Sequence, residues 1–269
     1  MIAKLRLNQL NNLDMSLLFT TIVSIIIFLY GIVIGSFLNV LIYRIPKKEN
    51  IAIKRSHCME CGYQLKWYDL IPIFSYLFLR GRCRKCGARI SVQYPIIEAV
   101  NGILYVLIFL RYGLTIETLL YCLLFSALLA LSIIDFRTFE IPVGFNYFIL
   151  VLGIARIATD YRNWLLYVIG LVSVSVVLLI IFLISKGRGI GGGDVKLMAA
   201  TGLLLGWKLN LLGFVIGCIL GAIIHVIRMK VSKEGRTLAM GPYLSAGIAL
   251  SVFFGNEIIT WYASFFTIQ

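Results

Sequence analysis

Residues 15–43 hold no charged side chain, and few folds accommodate an uncharged run of that length. A helix crosses the hydrocarbon of a bilayer with about 20 apolar residues. The apolar region of a secretory leader is shorter, about 7–15 residues. Lys4 and Arg6 precede the run as they would in a leader, but its length marks a retained transmembrane helix. The rest of the chain agrees: 60% of residues are hydrophobic and 14% charged, with a mean hydropathy of +0.94. Soluble domains are about 45–50% apolar and about 25% charged. The expected fold is therefore an all-α polytopic membrane protein.

About eight spans are expected, at 16–42, 95–112, 115–135, 141–159, 163–185, 195–207, 209–228 and 241–266. The weakest are 141–159, which ends near Arg156, and 195–207, which is too short unless the glycines before it dip into the membrane. The net charge of +13 would suggest nucleic acid in a soluble chain. In a membrane protein it follows from basic residues collecting in cytoplasmic loops, so no nucleic-acid partner is expected. If 43–94 is cytoplasmic, the inner segments hold 19 of the 25 Lys and Arg residues. That orientation puts Asp135 at the inner end of one span and Asp194 at the inner start of another. Three domains follow: an N-terminal transmembrane helix (1–43), a cytoplasmic cysteine insert (44–94) and a transmembrane helical domain (95–269).

The insert carries Cys58, Cys61, Cys83 and Cys86, as CMEC and CRKC. Two C-x-x-C pairs at this separation are a zinc-ribbon signal, two tight turns completing a tetrahedral sulfur site. In a reducing compartment metal is favoured over disulfides. Gly62 and Gly87 follow the turns, and Arg82, Arg84 and Lys85 are expected to favour thiolates. Such a site is structural and closed. His57 reads as a surface residue, and Cys122 and Cys218 as small core residues.

Acids inside spans are costly and therefore suggestive of function. Asp135 follows 17 uncharged residues, and Asp194 follows Gly191, Gly192 and Gly193. Two aspartates brought within a few Å share a proton, and such a pair can activate water and protonate a carbonyl. The glycines are expected to give positive φ and room for a substrate strand. The same residues also read as a helix break capped by Asp194, and spacing alone does not decide between the two. A phosphate loop is a third option, but no strand precedes it and no Walker lysine–serine pair follows.

Four stretches carry a family resemblance: GSFLNVLIYRIP (35–46), the segment from SHCMECGYQ to YPIIEAVNG (56–102), GIGGGDVKLMAA (189–200) and MGPYLSAG (240–247). Together with the aspartate before Ile141–Pro142, they make the chain similar to bacterial type IV prepilin peptidases, GxGD-class intramembrane aspartyl proteases. The resemblance implies that Asp135 and Asp194 are the catalytic pair. It places Gly191, Gly192, Gly193 and Lys196 in the supporting loop, and zinc on the four cysteines. It also implies N-methylation of the cleaved product with S-adenosylmethionine as donor, with Glu98 a methyltransferase or substrate contact. The implied substrates are prepilins, pseudopilins or competence pilin precursors, cut after glycine at the cytoplasmic face of the bacterial inner membrane. In many relatives Asp or Asn follows the Ile–Pro pair; here Val143 does, with Asn146 a turn later. Glu98, Glu60 and Asp69 are the acids expected to meet a basic leader. A proton-coupled transporter using Asp135 and Asp194 is the alternative, although related halves would be expected and none is seen.

Overall fold

The computed structural model describes residues 2–51, 55–232 and 238–265. Lys54, Lys233, Arg236 and residue 266, which figure in the charge count or the last expected span, lie outside them, as do the side chains of Lys4 and Arg6. The described chain is helical, and its only strand-like pairings are two isolated bridges, His57 with Gln64 and Arg82 with Arg89. It divides into two compact units, residues 1–40 with 52–118, and residues 41–51 with 119–269.

The first unit holds most of α1 (Ile2–Arg44), the cysteine insert with its short α2 (Phe74–Phe78), and α3 (Gln93–Tyr112). Here α1 and α3 pack through small residues. A β-carbon placed on Gly31 would lie 2.7 Å from Gly102 Cα, and one on Gly35 2.7 Å from Glu98 Cα. Close backbone approach of this kind is how helices gain contact in a lipid setting, where burial of apolar surface supplies no driving force. Amides bridge the seam: Asn101 Nδ2 donates to Gly31 O at 2.8 Å and Asn39 Nδ2 to Tyr94 O at 3.1 Å.

The second unit holds α4 (Ile116–Thr138) from Leu119 on, α5 (Val143–Thr159), α6 (Trp164–Ser173), α7 (Ser175–Ile184), α8 (Gly192–Leu205), α9 (Trp207–Ser232) and α10 (Gly241–Ser264). Its centre is α8, which contacts α5, α6, α7 and α9. Leu197, Met198, Thr201 and Leu204 on α8 are fully enclosed. Thr201 and Asn210 bond to each other, and Asn210 Nδ2 also donates to Met198 O at 3.0 Å, which ties α8 to α9.

Among the described residues six helices are long and apolar enough to cross a membrane: 16–44, 93–112, 116–138, 161–184, 207–230 and 241–264. This corrects the count of eight. The two segments that fall out are those marked weak in the sequence. α5 has 17 residues and α8 has 14, about 26 Å and 21 Å at 1.5 Å per residue, against a hydrocarbon core of about 30 Å. In compensation, α8 is surrounded by protein.

Candidate active site

Asp135 lies in the last turn of α4 and Asp194 in the first turn of α8. Both are buried, at 4% and 8% exposure, and close enough for the charge of Asp135 to act on Asp194. The two acids that the sequence put at one depth are thus electrostatic neighbours.

Local chemistry fixes each carboxylate. Beyond Asp135, α4 ends where Phe139 takes φ 55° and its N–H returns to Asp135 O at 2.8 Å. Asp135 Oδ2 accepts the Gly241 N–H at 2.8 Å, a bond between residues 106 apart. The Gly241–Pro242 start of α10 leaves that N–H free of helical pairing. A β-carbon on Gly241 would lie 2.7 Å from Asp135 Oδ2, so a side chain there would push the carboxylate off its bond.

α8 is capped by Gly191, with Asp194 in its first turn. Asp194 is therefore not the cap residue: it stands at the third helical position, with its carboxylate beside Gly191. None of Gly191, Gly192 and Gly193 has positive φ, contrary to expectation. What is required is room. A β-carbon on Gly191 would stand 3.0 Å from Asp194 Oδ2, and one on Gly193 2.9 Å from Ile141 Cβ. Asn146 Nδ2 donates to Gly193 O at 3.4 Å. Lys196 is exposed, whereas Asp194 is buried. Sequence reasoning missed Gly241 as a neighbour of Asp135 and Ile141 as a neighbour of Gly193. The only cue to Gly241 was MGPYLSAG, which gave no partner.

In the first unit the four cysteine sulfurs lie within 4.8 Å of one another, and Cys58 Sγ and Cys86 Sγ are 3.8 Å apart. Tetrahedral zinc with Zn–S near 2.3 Å sets its sulfurs about 3.8 Å apart, so the thiols fit that ion, and all are free of disulfides. The two turns are built alike. Cys58 N–H donates to Tyr63 O and Cys83 N–H to Ala88 O, both at 2.8 Å, with Gly62 and Gly87 at φ 68° and 73°. Backbone N–H groups of Cys86 and Lys85 pull the Cys83 thiol down to about 7. The thiolate is thus favoured by backbone dipoles, and not chiefly by the neighbouring cations. His57 is half-buried, its Nδ1 3.2 Å from Arg55 O.

The acids of this unit are mostly engaged. Asp69 has a side chain 1% exposed and accepts Arg84 Nε at 2.8 Å. Burial would raise its carboxyl, but the Arg84 and Lys66 N–H bonds hold it below the usual carboxylate range. Asp69 is therefore spoken for and is not open to a leader. Glu98 is buried, accepting the Ile73 N–H at 2.7 Å and bonding the Ser36 hydroxyl. Ile73 has φ 60°, a costly setting for a β-branched residue, and Glu98 holds that turn. Glu60 is exposed.

The comparisons with known proteins agree with this architecture. Residues 29–112 match the bacterial peptidase A24 N-terminal domain, and residues 122–226 the type IV leader peptidase family. A protein of Pseudomonas putida named prepilin leader peptidase/N-methyltransferase is 31% identical over 259 residues, covering 85% of this chain and 89% of its own. One of the same name from Bacillus subtilis is 33% identical over 241 residues, covering 88% and 96%. No solved structure matches. The chain belongs to the type IV leader peptidase family.

Proposed function

We propose that the chain is a membrane aspartyl endopeptidase that removes the leader of prepilins, with Asp135 and Asp194 as its catalytic pair. The observation that carries the reading is the approach of two buried carboxylates, from the end of α4 and the start of α8, with Asp135 held by the Gly241 N–H and Asp194 near enough to feel its charge. One proton is shared between them. A water oxygen adds to the scissile carbonyl carbon while the ionised carboxylate takes a water proton. The carbonyl oxygen takes the proton of the other carboxyl. On collapse the C–N bond breaks, the nitrogen takes the proton from the first carboxyl, and the diol returns one to the second. The pair ends singly protonated, as it began.

In the loop Gly191–Gly192–Gly193, Gly191 leaves room for the Asp194 carboxylate and Gly193 for Ile141, and Lys196 is a surface residue of the same helix. Six apolar helices support a multi-pass protein of the bacterial inner membrane, with the insert and the cut on the cytoplasmic side by the distribution of basic residues. Prepilins, pseudopilins and competence pilin precursors are the substrate class, cut after glycine. Zinc on Cys58, Cys61, Cys83 and Cys86 would hold the insert together.

The names of the relatives support N-methylation of the new N-terminus as a second activity. S-adenosylmethionine would supply the methyl group. Glu98, which shapes the first unit next to the insert, is the residue we assign to that activity. Nothing favours the transporter.

The test is incubation of purified protein with a prepilin and labelled S-adenosylmethionine. Asp135→Asn or Asp194→Asn is expected to lower cleavage by about 10³-fold or more while leaving thermal unfolding near that of the parent. Cleavage at the parental rate by either variant would end the reading.

A further inference from the structure

Asn146 stands beside the glycine loop with half of its carboxamide engaged. Nδ2 donates to Gly193 O at 3.4 Å, on the residue before Asp194. The side chain is 4% exposed, and Oδ1 has no hydrogen-bond partner among the described residues. The orientation of the amide follows from chemistry: a carbonyl oxygen can only accept, so the group facing Gly193 O is the donor and Oδ1 is the acceptor left over. One carbon separates Oδ1 from Nδ2, which keeps it in the immediate surroundings of Gly193 and Asp194. A buried acceptor without a partner is costly, and folded proteins seldom keep one without use.

We propose that Asn146 Oδ1 accepts a backbone N–H of the substrate segment next to the scissile bond. This rests on the peptidase reading above and adds a binding contact to it. The ligand class is extended peptide backbone, whatever its side chains. An extended segment at membrane depth carries N–H groups that must find acceptors inside protein. The side chain of Asn146 has the donor and acceptor of a peptide group. With its donor on Gly193 and its acceptor on the substrate, it continues a ladder of backbone bonds from the catalytic loop to the peptide, and each bond in such a chain polarises the next. Asn146 is here a positioning residue: it orients the scissile bond toward Asp194 and exchanges no proton.

The experiment uses the full-length protein and prepilin peptides in which each amide near the cut, other than the scissile one, is replaced in turn by an ester. Each ester removes one N–H and keeps the chain length. The wild type is expected to lose about tenfold in kcat/KM at one ester position. In Asn146→Leu the same ester should cost less than about threefold, because the acceptor is gone. Asn146→Asp keeps an acceptor oxygen and should restore the penalty. Where Asn146→Leu turns over too slowly, the ratio of dissociation constants for the amide and ester peptides gives the same comparison. The proposal is overturned if no ester position is penalised in the wild type, or if the penalty is equally large in Asn146→Leu. Failure of the wild type to cut the all-amide peptide would instead sink the peptidase reading itself.

Discussion

The cysteine insert and the aspartate site both depend on glycine, for opposite physical reasons. Gly62 and Gly87 in the insert have φ of 68° and 73°, and a β-carbon on either would meet nothing within 4 Å. They are needed for a backbone shape that L-residues resist. Gly193 and Gly241 beside the aspartates have ordinary φ, but a β-carbon there would lie 2.9 Å from Ile141 Cβ or 2.7 Å from Asp135 Oδ2. They are needed for space. The first kind closes a turn within a few residues, whereas the second lets helices far apart in sequence meet. On the proposed reading function divides along the same line: the cysteine cluster suited to a metal is built from local turns, and the aspartate pair from long-range approach.

The largest expected effect breaks the comparison on the aspartate side. Gly241→Ala drives a methyl into the Asp135 carboxylate, and Gly193→Ala pushes the Ile141 segment off the start of α8. A displacement of about 1 Å in a reacting group costs about 10²-fold. Prepilin cleavage by either variant should therefore fall about 100-fold in kcat/KM, with unfolding temperature shifted by only a few degrees. Asn, which tolerates positive φ, should rescue neither. A Gly193→Asn protein as active as the parent would show that room is not what the loop needs.

How far the sequence could be read follows the same division. The four cysteines were legible because their geometry is set by two short turns, and C-x-x-C-G states both the ligands and the backbone that joins them. The aspartates were legible by depth, since the charge pattern orients the spans and a carboxylate inside one is rare. The partners of those aspartates were not. Asp135 meets Gly241 across 106 residues and Asn146 meets Gly193 across 47, and no periodicity records such a contact. The three glycines drew the right attention for an incomplete reason, because a run of glycine does not say whether φ or volume is the constraint. Segments 141–159 and 195–207 looked like weak spans because hydropathy reports an apolar surround, and for α8 the surround is protein.

A smaller effect is expected from the insert. Chelation of the metal, or Cys58→Ser, removes the link between the two turns. The insert has exposed apolar side chains such as Trp67 and Phe78, 77% and 86% exposed, so little core remains to hold it without the ion. Limited proteolysis within 55–92 should accelerate about tenfold or more, as local opening becomes easier. Methylation should fall more than cleavage. Equal loss of both activities would mean that the insert serves the peptidase site as directly as the methyltransferase.

The smallest effect is the sharpest discriminator. Gly62→Ala puts a side chain into empty space but into a left-handed backbone, which costs about 1 kcal/mol. Because 1.4 kcal/mol is tenfold in an equilibrium constant, zinc affinity should weaken about fivefold, as read by competition with a chelator of known strength. Gly62→Asn should recover most of that loss, since Asn visits the same backbone region at lower cost. The order Gly, Asn, Ala at position 62 is what a conformational requirement dictates. At position 193 a steric requirement dictates Gly, Ala, Asn, because the larger side chain collides more with Ile141. The reversal of Asn and Ala between the two positions separates the two uses of glycine without reference to absolute rates, and a common order at both would dissolve the distinction.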